Sequence, residues 1–241
     1  MLAAYINRYG GPAVLQVGDL PDPTPGPSDL LVDVAAASVN PIDFKIRDGK
    51  AKALLPFGFP LILGNDLSGT VRAVGSAVTR YKAGDRIVAR LGKSRIGAFA
   101  ERVLVAEGDA ALAPGHIDLI DAAGLPLAGL TAWQALIEMG QLQAGQTVLI
   151  HAGAGGVGHL ALQLAQAYAA IADGGRLHTP RFVRDQVTAE PRALLDPEVD
   201  VFLLGPRHRL AAKRDAALVA IGLFDDEFHY GRDRLPSDIA D

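Results

Sequence analysis

At 241 residues, 49% hydrophobic and 21% charged, the chain has the composition of an ordered protein with room for one large or two modest domains. A formal net charge of −4 gives no electrostatic footprint for nucleic acid or a polybasic membrane contact. The absence of cysteine excludes a disulfide framework, a thiolate zinc site and a cysteine nucleophile. The opening MLAAYINRYGG lacks a charged stretch followed by an apolar one, and no apolar run is long enough to span a bilayer. A soluble cytoplasmic protein is the expectation.

The first hundred residues read as short strands with Gly and Pro punctuation, the pattern of a β sandwich or a partly open barrel. Leu2–Ile6 alternates weakly, and Val14–Val17 is a second short strand. Pro21–Pro27 (PDPTPGP) is a stiff extended connector. Leu30–Ser38 is a continuous apolar run of strand length, and Asp66–Val74 alternates up to Gly75. Arg86–Ala89 follows the turn Lys82-Ala83-Gly84-Asp85, and Ala98–Val105 is a further alternating strand. Residues 118–139 read as helical, with Ala122, Ala123, Leu127 and Leu130 on one side; Thr131–Met139 continues after a glycine, and Gly140 ends it.

The densest signal is Gly145–Gln166 (GQTVLIHAGAGGVGHLALQLAQ). A short apolar strand, Thr147–His151, enters a glycine loop. A helix follows, with Val157, Leu160, Ala161, Leu164 and Ala165 at the spacing of one buried face. Gly153, Gly155 and Gly158 form the G-x-G-x-x-G spacing within this strand-to-helix context. The first allows a tight turn, the second lets the main chain approach a pyrophosphate, and the third lets helix and strand pack closely. The first N–H groups of the helix have no internal partner and lie at its positive end, so they attract phosphate. The alternative is a structural glycine turn.

Seven stretches in order resemble the zinc-less quinone oxidoreductases of the medium-chain dehydrogenase/reductase superfamily. They are Asn40-Pro41-Ile42-Asp43 with Arg47-Asp48-Gly49; Gly64-Asn65-Asp66-Leu67-Ser68-Gly69; Val71 with Val74-Gly75; Gly84-Asp85-Arg86-Ile87; Gly97-Ala98-Phe99-Ala100-Glu101; Leu130-Thr131-Ala132-Trp133; and the glycine loop. The resemblance covers roughly the first 165 residues. It implies an α/β protein: a GroES-like β domain over residues 1–120 and a Rossmann domain over residues 121–241. It also implies NADP(H) in the cleft and hydride transfer to a quinone or conjugated carbonyl. Zinc-dependent relatives carry a cysteine where this chain has Asn40-Pro41, and a His-Glu pair where it has Asn65-Asp66. A tetrahedral zinc that polarises an alcohol is therefore not expected, and what remains for the protein is to hold two reactants in register without water. Reduction of an activated carbon–carbon double bond, as in alkenal or enoyl-thioester reductases of the superfamily, is the enzymatic alternative.

Beyond Gln166 the resemblance is fragmentary. Arg176–Thr179 is read as a shortened second strand, Val199–Gly205 as a later core strand, and Ala217–Gly222 as the next. The Rossmann half is expected to be shortened, ending in a polar tail, Asp225–Asp241. On that basis a degenerate protein with a binding or structural role is the non-enzymatic alternative. Relatives of this kind pair through sheet edges, so a homodimer is expected only if that edge strand is present.

The resemblance places Asn40 and Asp43 on the substrate side of the nicotinamide, as catalytic residues, and Thr131 beside it; Asn40 also contributes to cofactor binding. The plainer readings are a turn with a helix start for Asn-Pro-x-Asp, and a helix-start hydroxyl for Thr131. Gly153, Ala154, Gly155, Gly156, Val157 and Gly158 would hold the pyrophosphate. Arg176 and Arg181 would meet a 2′-phosphate or serve as surface charge, so the choice of NADP over NAD follows from the family. Tyr5 and Tyr9 are read as packing residues, and His151 as a strand-end histidine. Asp225, Asp226, Glu227 and His229 match no metal-ligand spacing and are read as an acidic loop. There is no G-x-S-x-G elbow. The expected partner is a small quinone or enone, with no nucleic acid and no membrane.

Overall fold

The computed structural model describes residues 1–143, 146, 148–172, 181–182, 201–204 and 219–221. The chain divides into two compact units, Met1–Gln134 and Ala135–Asp241.

The first unit contains two antiparallel sheets. A five-stranded sheet has the order β7 (Arg102–Ala106), β3 (Asp29–Ala37), β5 (Asp66–Val74), β6 (Arg86–Arg90), β8 (Ala110–Leu112). The run expected at Leu30–Ser38 is β3, and its apolar side chains do not all share one face. Leu30 and Val32 are buried while Leu31 between them is only half-buried, and two bulges against β5 adjust the register. Leu30, Val32, Leu67, Val71, Ile87, Val103 and Val105 form the core of this sheet.

The smaller sheet orders β2 (Leu15–Asp19), β1 (Leu2–Ile6) and β4 (Leu61–Ile62). The strand expected at Val14–Val17 starts one residue later, because Pro12–Val14 forms a 3-10 turn closed by Val14 N–H to the Gly11 carbonyl. A second core gathers beneath it from Ile6, Leu61, Leu63 and Ile46, the last on α1 (Pro41–Arg47).

The strand expected over Ala98–Val105 forms only from Arg102. Upstream, Gly97 and Ala98 N–H groups donate to the Gly64 carbonyl, Phe99 N–H to Leu63, and Glu101 N–H to Leu2. This segment passes between the two cores, Ala98 facing one and Phe99 the other, so its backbone cannot stay in one ladder. Gly64 makes the crossing possible. It has φ +100°, and a Cβ there would lie 2.6 Å from the Phe99 ring.

The helical stretch expected over residues 118–139 is interrupted. It forms α2 (Leu119–Ala122), α3 (Pro126–Trp133) and a π-helical segment, Gln134–Met139. Pro126 restarts the helix at its first turn, where its missing N–H costs nothing. Leu130 therefore does not share the side of Ala122 and Ala123: it is 49% exposed, while Ala128 and Ala132 are buried.

In the second unit, β9 (Val148–His151) is the centre of a parallel sheet ordered β10 (Arg181–Phe182), β11 (Val201–Leu204), β9, β12 (Val219–Ile221). Val148, Leu149 and Ile150 are all buried, as a strand covered on both faces requires. β11 and β12 lie within the two late strands expected from sequence, and β12 joins the sheet on the other side of β9 rather than beyond β11. The second strand expected at Arg176–Thr179 and the tail Asp225–Asp241 lie outside the described residues. From the glycine loop runs α4 (Gly156–Ala172). Its buried face is Ala161, Leu162, Ala165 and Ala169, with Val157, Leu160 and Leu164 half-buried. Three of those four buried residues are alanines, which lets the helix sit close. Among the described residues, no helix is long and apolar enough to cross a membrane.

Candidate functional site

In the first unit, a polar network forms where β3 leads into α1 and where β5 begins. Asn40 starts α1, with Pro41 as its first residue. The Asn40 backbone N–H donates to Asp43 Oδ2 at 2.7 Å, the acidic arm of a capping box. The other Asp43 oxygen accepts from Asn65 Nδ2 at 2.7 Å. The Asn40 side-chain amide donates to Asp66 Oδ1 at 2.9 Å and to Ser38 Oγ at 2.9 Å. Ser38 Oγ in turn donates to Asp66 Oδ1 at 2.5 Å. Asp66 Oδ2 accepts from the Leu127 N–H, in the first turn of α3, at 3.0 Å.

Asp43, Asn65 and Asp66 are 3%, 1% and 0% exposed. Burial raises the pKa of Asp66 above its ordinary range, against the hydrogen bonds from Ser38, Leu127 and Asn40 that oppose the rise. Asp43 is raised for the same first reason, opposed by its bonds from Asn65 and Asn40 and reinforced by the Asp66 charge nearby. The two readings of Asn-Pro-x-Asp thus coincide: the segment starts a helix, and its side chains also converge on a buried carboxylate. Sequence reasoning named Asn40 and Asp43 and missed Ser38 and the joining role of Asp66. The signal for Asp66 was present, since an aspartate heading an apolar strand must find partners or remain neutral.

Thr131 lies inside α3, the sixth residue of the helix, and not at its start. Its hydroxyl donates to the Leu127 carbonyl at 2.7 Å, a bond back along the helix, which corrects the helix-start alternative. Tyr9 packs edge-on against Phe59 with ring centroids 5.0 Å apart, as a packing residue should. Tyr5 pairs with Gln16 across the β1–β2 ladder. His151 is the last residue of β9 and is half-buried.

In the second unit, residues 152–155 connect β9 to α4, and Gly156–Gly158 form the first turn of the helix. Gly155 N–H donates to the Ala152 carbonyl at 2.8 Å, closing the turn, and His159 N–H to the Gly155 carbonyl at 3.0 Å. A Cβ on Gly158 would lie 2.1 Å from the Ala152 carbonyl oxygen, so only glycine lets the first helical turn pass this close to the strand end. A Cβ on Gly156 would meet nothing within 4 Å. Ala154, Gly155 and Gly156 are exposed and Val157 half-buried. Space over a glycine loop, next to the unpaired first N–H groups of a seventeen-residue helix, is what a pyrophosphate requires. The loop fits a dinucleotide. Arg181 lies in β10, where its backbone pairs with Phe202; Arg176 and the cluster Asp225, Asp226, Glu227 and His229 lie outside the described residues.

All four carboxylate oxygens of Asp43 and Asp66 accept hydrogen bonds from protein donors, and their neighbours Asn40, Asn65 and Ser38 are uncharged. Among the described residues no cluster of His, Asp or Glu that could hold a metal ion occurs.

An antiparallel unit of this kind, with a strand–glycine loop–helix unit following it in the chain, defines a dehydrogenase-type α/β protein. Residues 26–115 match the alcohol dehydrogenase GroES-like domain. A chloroplastic quinone-oxidoreductase homolog of Spinacia oleracea is 40% identical over 167 residues, 67% of this chain and 51% of that protein. A chloroplastic NADPH-dependent alkenal/one oxidoreductase of Arabidopsis thaliana is 40% identical over 173 residues, 69% of this chain and 44% of its own. The crystal structure of Escherichia coli quinone oxidoreductase complexed with NADPH superposes with a TM-score of 0.63 at 33% identity, covering 70% of this chain and 50% of that one. The chain belongs to the quinone oxidoreductase branch of the medium-chain dehydrogenase/reductase superfamily. It spans about half the length of the curated relatives it matches.

Proposed function

We propose that the chain is an NADPH-dependent, zinc-independent oxidoreductase that reduces a quinone or conjugated carbonyl. The observation that carries this is the glycine loop, whose exposed backbone and open space at Gly156 suit a pyrophosphate while Gly158 holds α4 against the strand end. Similarity to a protein solved with NADPH favours that cofactor. When bound, the reduced nicotinamide supplies a hydride. The chain's own part is then positional. Gly153–Gly158 would bind the pyrophosphate, and Asn40 and Thr131 would orient the nicotinamide. Asp43, buried with both oxygens engaged, would hold Asn40 at the start of α1 and so act through it. Zinc independence rests on the closed hydrogen bonding of the Asp43–Asp66 network.

Titration of the purified chain with NADPH and, separately, NADH, followed by nicotinamide fluorescence, is the test. Saturable NADPH binding, lost in Gly155→Val, and quinone-dependent NADPH oxidation that survives exhaustive chelation are expected. A folded chain that binds neither nucleotide would overturn the reading in favour of a binding or structural role. The alkenal/one relative supports a second acceptor class, and faster turnover of alkenals than of quinones would select it.

A further inference from the structure

Resting on the reading of Asn40 and Thr131 as the residues that orient the nicotinamide, we propose that Asp66 is a positioning residue whose two carboxylate oxygens set the register between them. One oxygen holds the Asn40 amide and Ser38; the other holds the Leu127 N–H in the first turn of α3. Leu127 is also the residue whose carbonyl receives the Thr131 hydroxyl. A single carboxylate therefore stands between the loop that presents Asn40 and the helix that presents Thr131. These segments lie about ninety positions apart in the chain, so their mutual placement is not set locally. Asp66 itself is anchored as the first residue of β5, paired with Arg90 of β6, and has no solvent exposure. A group so enclosed has few alternative positions, and what it holds is correspondingly fixed.

The chemistry of the pair of ties is specific to a carboxylate. It offers an acceptor on each side, as a donor on each side requires. A carboxamide offers one acceptor and one donor, so Asp66→Asn keeps either the Asn40 side or the Leu127 side and sets an N–H against an N–H on the other. The charged and titratable neighbours facing Asp66 are Asp43 from α1 and Arg90 from β6; its other partners, Ser38, Asn40 and the Leu127 N–H, are neutral.

The experiment joins a spectroscopic and a kinetic readout on the full chain. In the wild-type protein the side-chain NH₂ of Asn40 and the backbone N–H of Leu127 should shift with pH along one shared midpoint, because both report the same carboxylate. Asp66→Asn should abolish both titrations and lower quinone-dependent kcat about tenfold or more. Its NADPH dissociation constant should change less than about threefold, since the glycine loop is untouched. Ser68→Ala is the control, because it removes a buried bond from β5 to the Leu119 carbonyl without touching Asn40 or α3. It should lose stability and keep its kcat. Separate midpoints for Asn40 and Leu127, or a folded Asp66→Asn with kcat within about twofold of wild type, would overturn the proposal. Should Asp66→Asn fail to fold, the wild-type titration decides alone. A wild-type protein without NADPH binding would sink the functional reading, and the shared midpoint would still show whether Asp66 couples the two segments.

Discussion

At the scale of the residue, two glycines of one loop make opposite demands. Gly158→Ala sets a Cβ 2.1 Å from the Ala152 carbonyl oxygen and 2.8 Å from the Gly153 Cα, and both are main-chain atoms that cannot swing aside. The expected cost is ~1–3 kcal/mol of stability, with NADPH binding lost as α4 moves off the strand end. Gly156→Ala meets nothing within 4 Å, so its melting temperature should stay at or slightly above wild type. Its added methyl enters the space assigned to the pyrophosphate, and NADPH affinity should fall. Thermal melts and fluorescence titration of the two variants separate packing from binding. Equal melting temperatures would refute the assignment of Gly158.

At the scale of the element, α1 owes its position to Asp43. This carboxylate accepts from the Asn40 N–H at the helix start and from Asn65, which lies just upstream of β5. Asp43→Ala leaves both donors without an acceptor in a buried setting, which costs about 1–3 kcal/mol for each such group. Urea unfolding should show a lower midpoint with an unchanged slope. A conventional cap exposed to water would cost only about 1 kcal/mol, so the size of the loss tells the two apart. α3 depends on a different device. It begins at Pro126, and Asp66 accepts the N–H of the next residue from outside the helix.

For the molecule as a whole, carboxylates raised by burial and a carboxylate held by a cation set opposite slopes of stability with pH. Asp43 and Asp66 have folded pKa values raised first by burial, so the native state keeps protons that the unfolded chain has released. Their contribution to stability is full below the ordinary aspartate value of about 4 and is lost as pH rises through the raised value. Asp29 is the reverse case, lowered first by its hydrogen bond from Arg95 at 2.9 Å. Its contribution is present above about 4 and is lost as pH falls through the lowered value. Urea midpoints measured from pH 7 toward pH 4 should therefore shift in favour of wild type relative to Asp66→Asn. Below about pH 4 they should shift against wild type relative to Asp29→Asn. Parallel curves for wild type and Asp66→Asn would show that Asp66 titrates as an exposed group.

What the sequence determined is what local chemistry determines. Period-two alternation placed β5, the turn at Lys82–Asp85 placed β6, and the apolar run of β9 with its glycines placed the strand, loop and helix of a nucleotide site, since each signal is complete within about twenty residues. Asn40-Pro41-Ile42-Asp43 was legible as a helix start because a cap is a local bond. Three outcomes were decided only by tertiary structure. The segment from Gly97 to Glu101 left its ladder because two cores compete for Ala98 and Phe99. The buried face of α4 settled on Ala161, Leu162, Ala165 and Ala169, leaving Val157, Leu160 and Leu164 half-buried. The site itself is the clearest case. Nothing local tells Asp66 that Asn40 lies on one of its oxygens and Leu127 on the other, 61 positions away. Burial decides it, because a carboxylate with no water left must take its hydrogen bonds from whatever the fold brings to it.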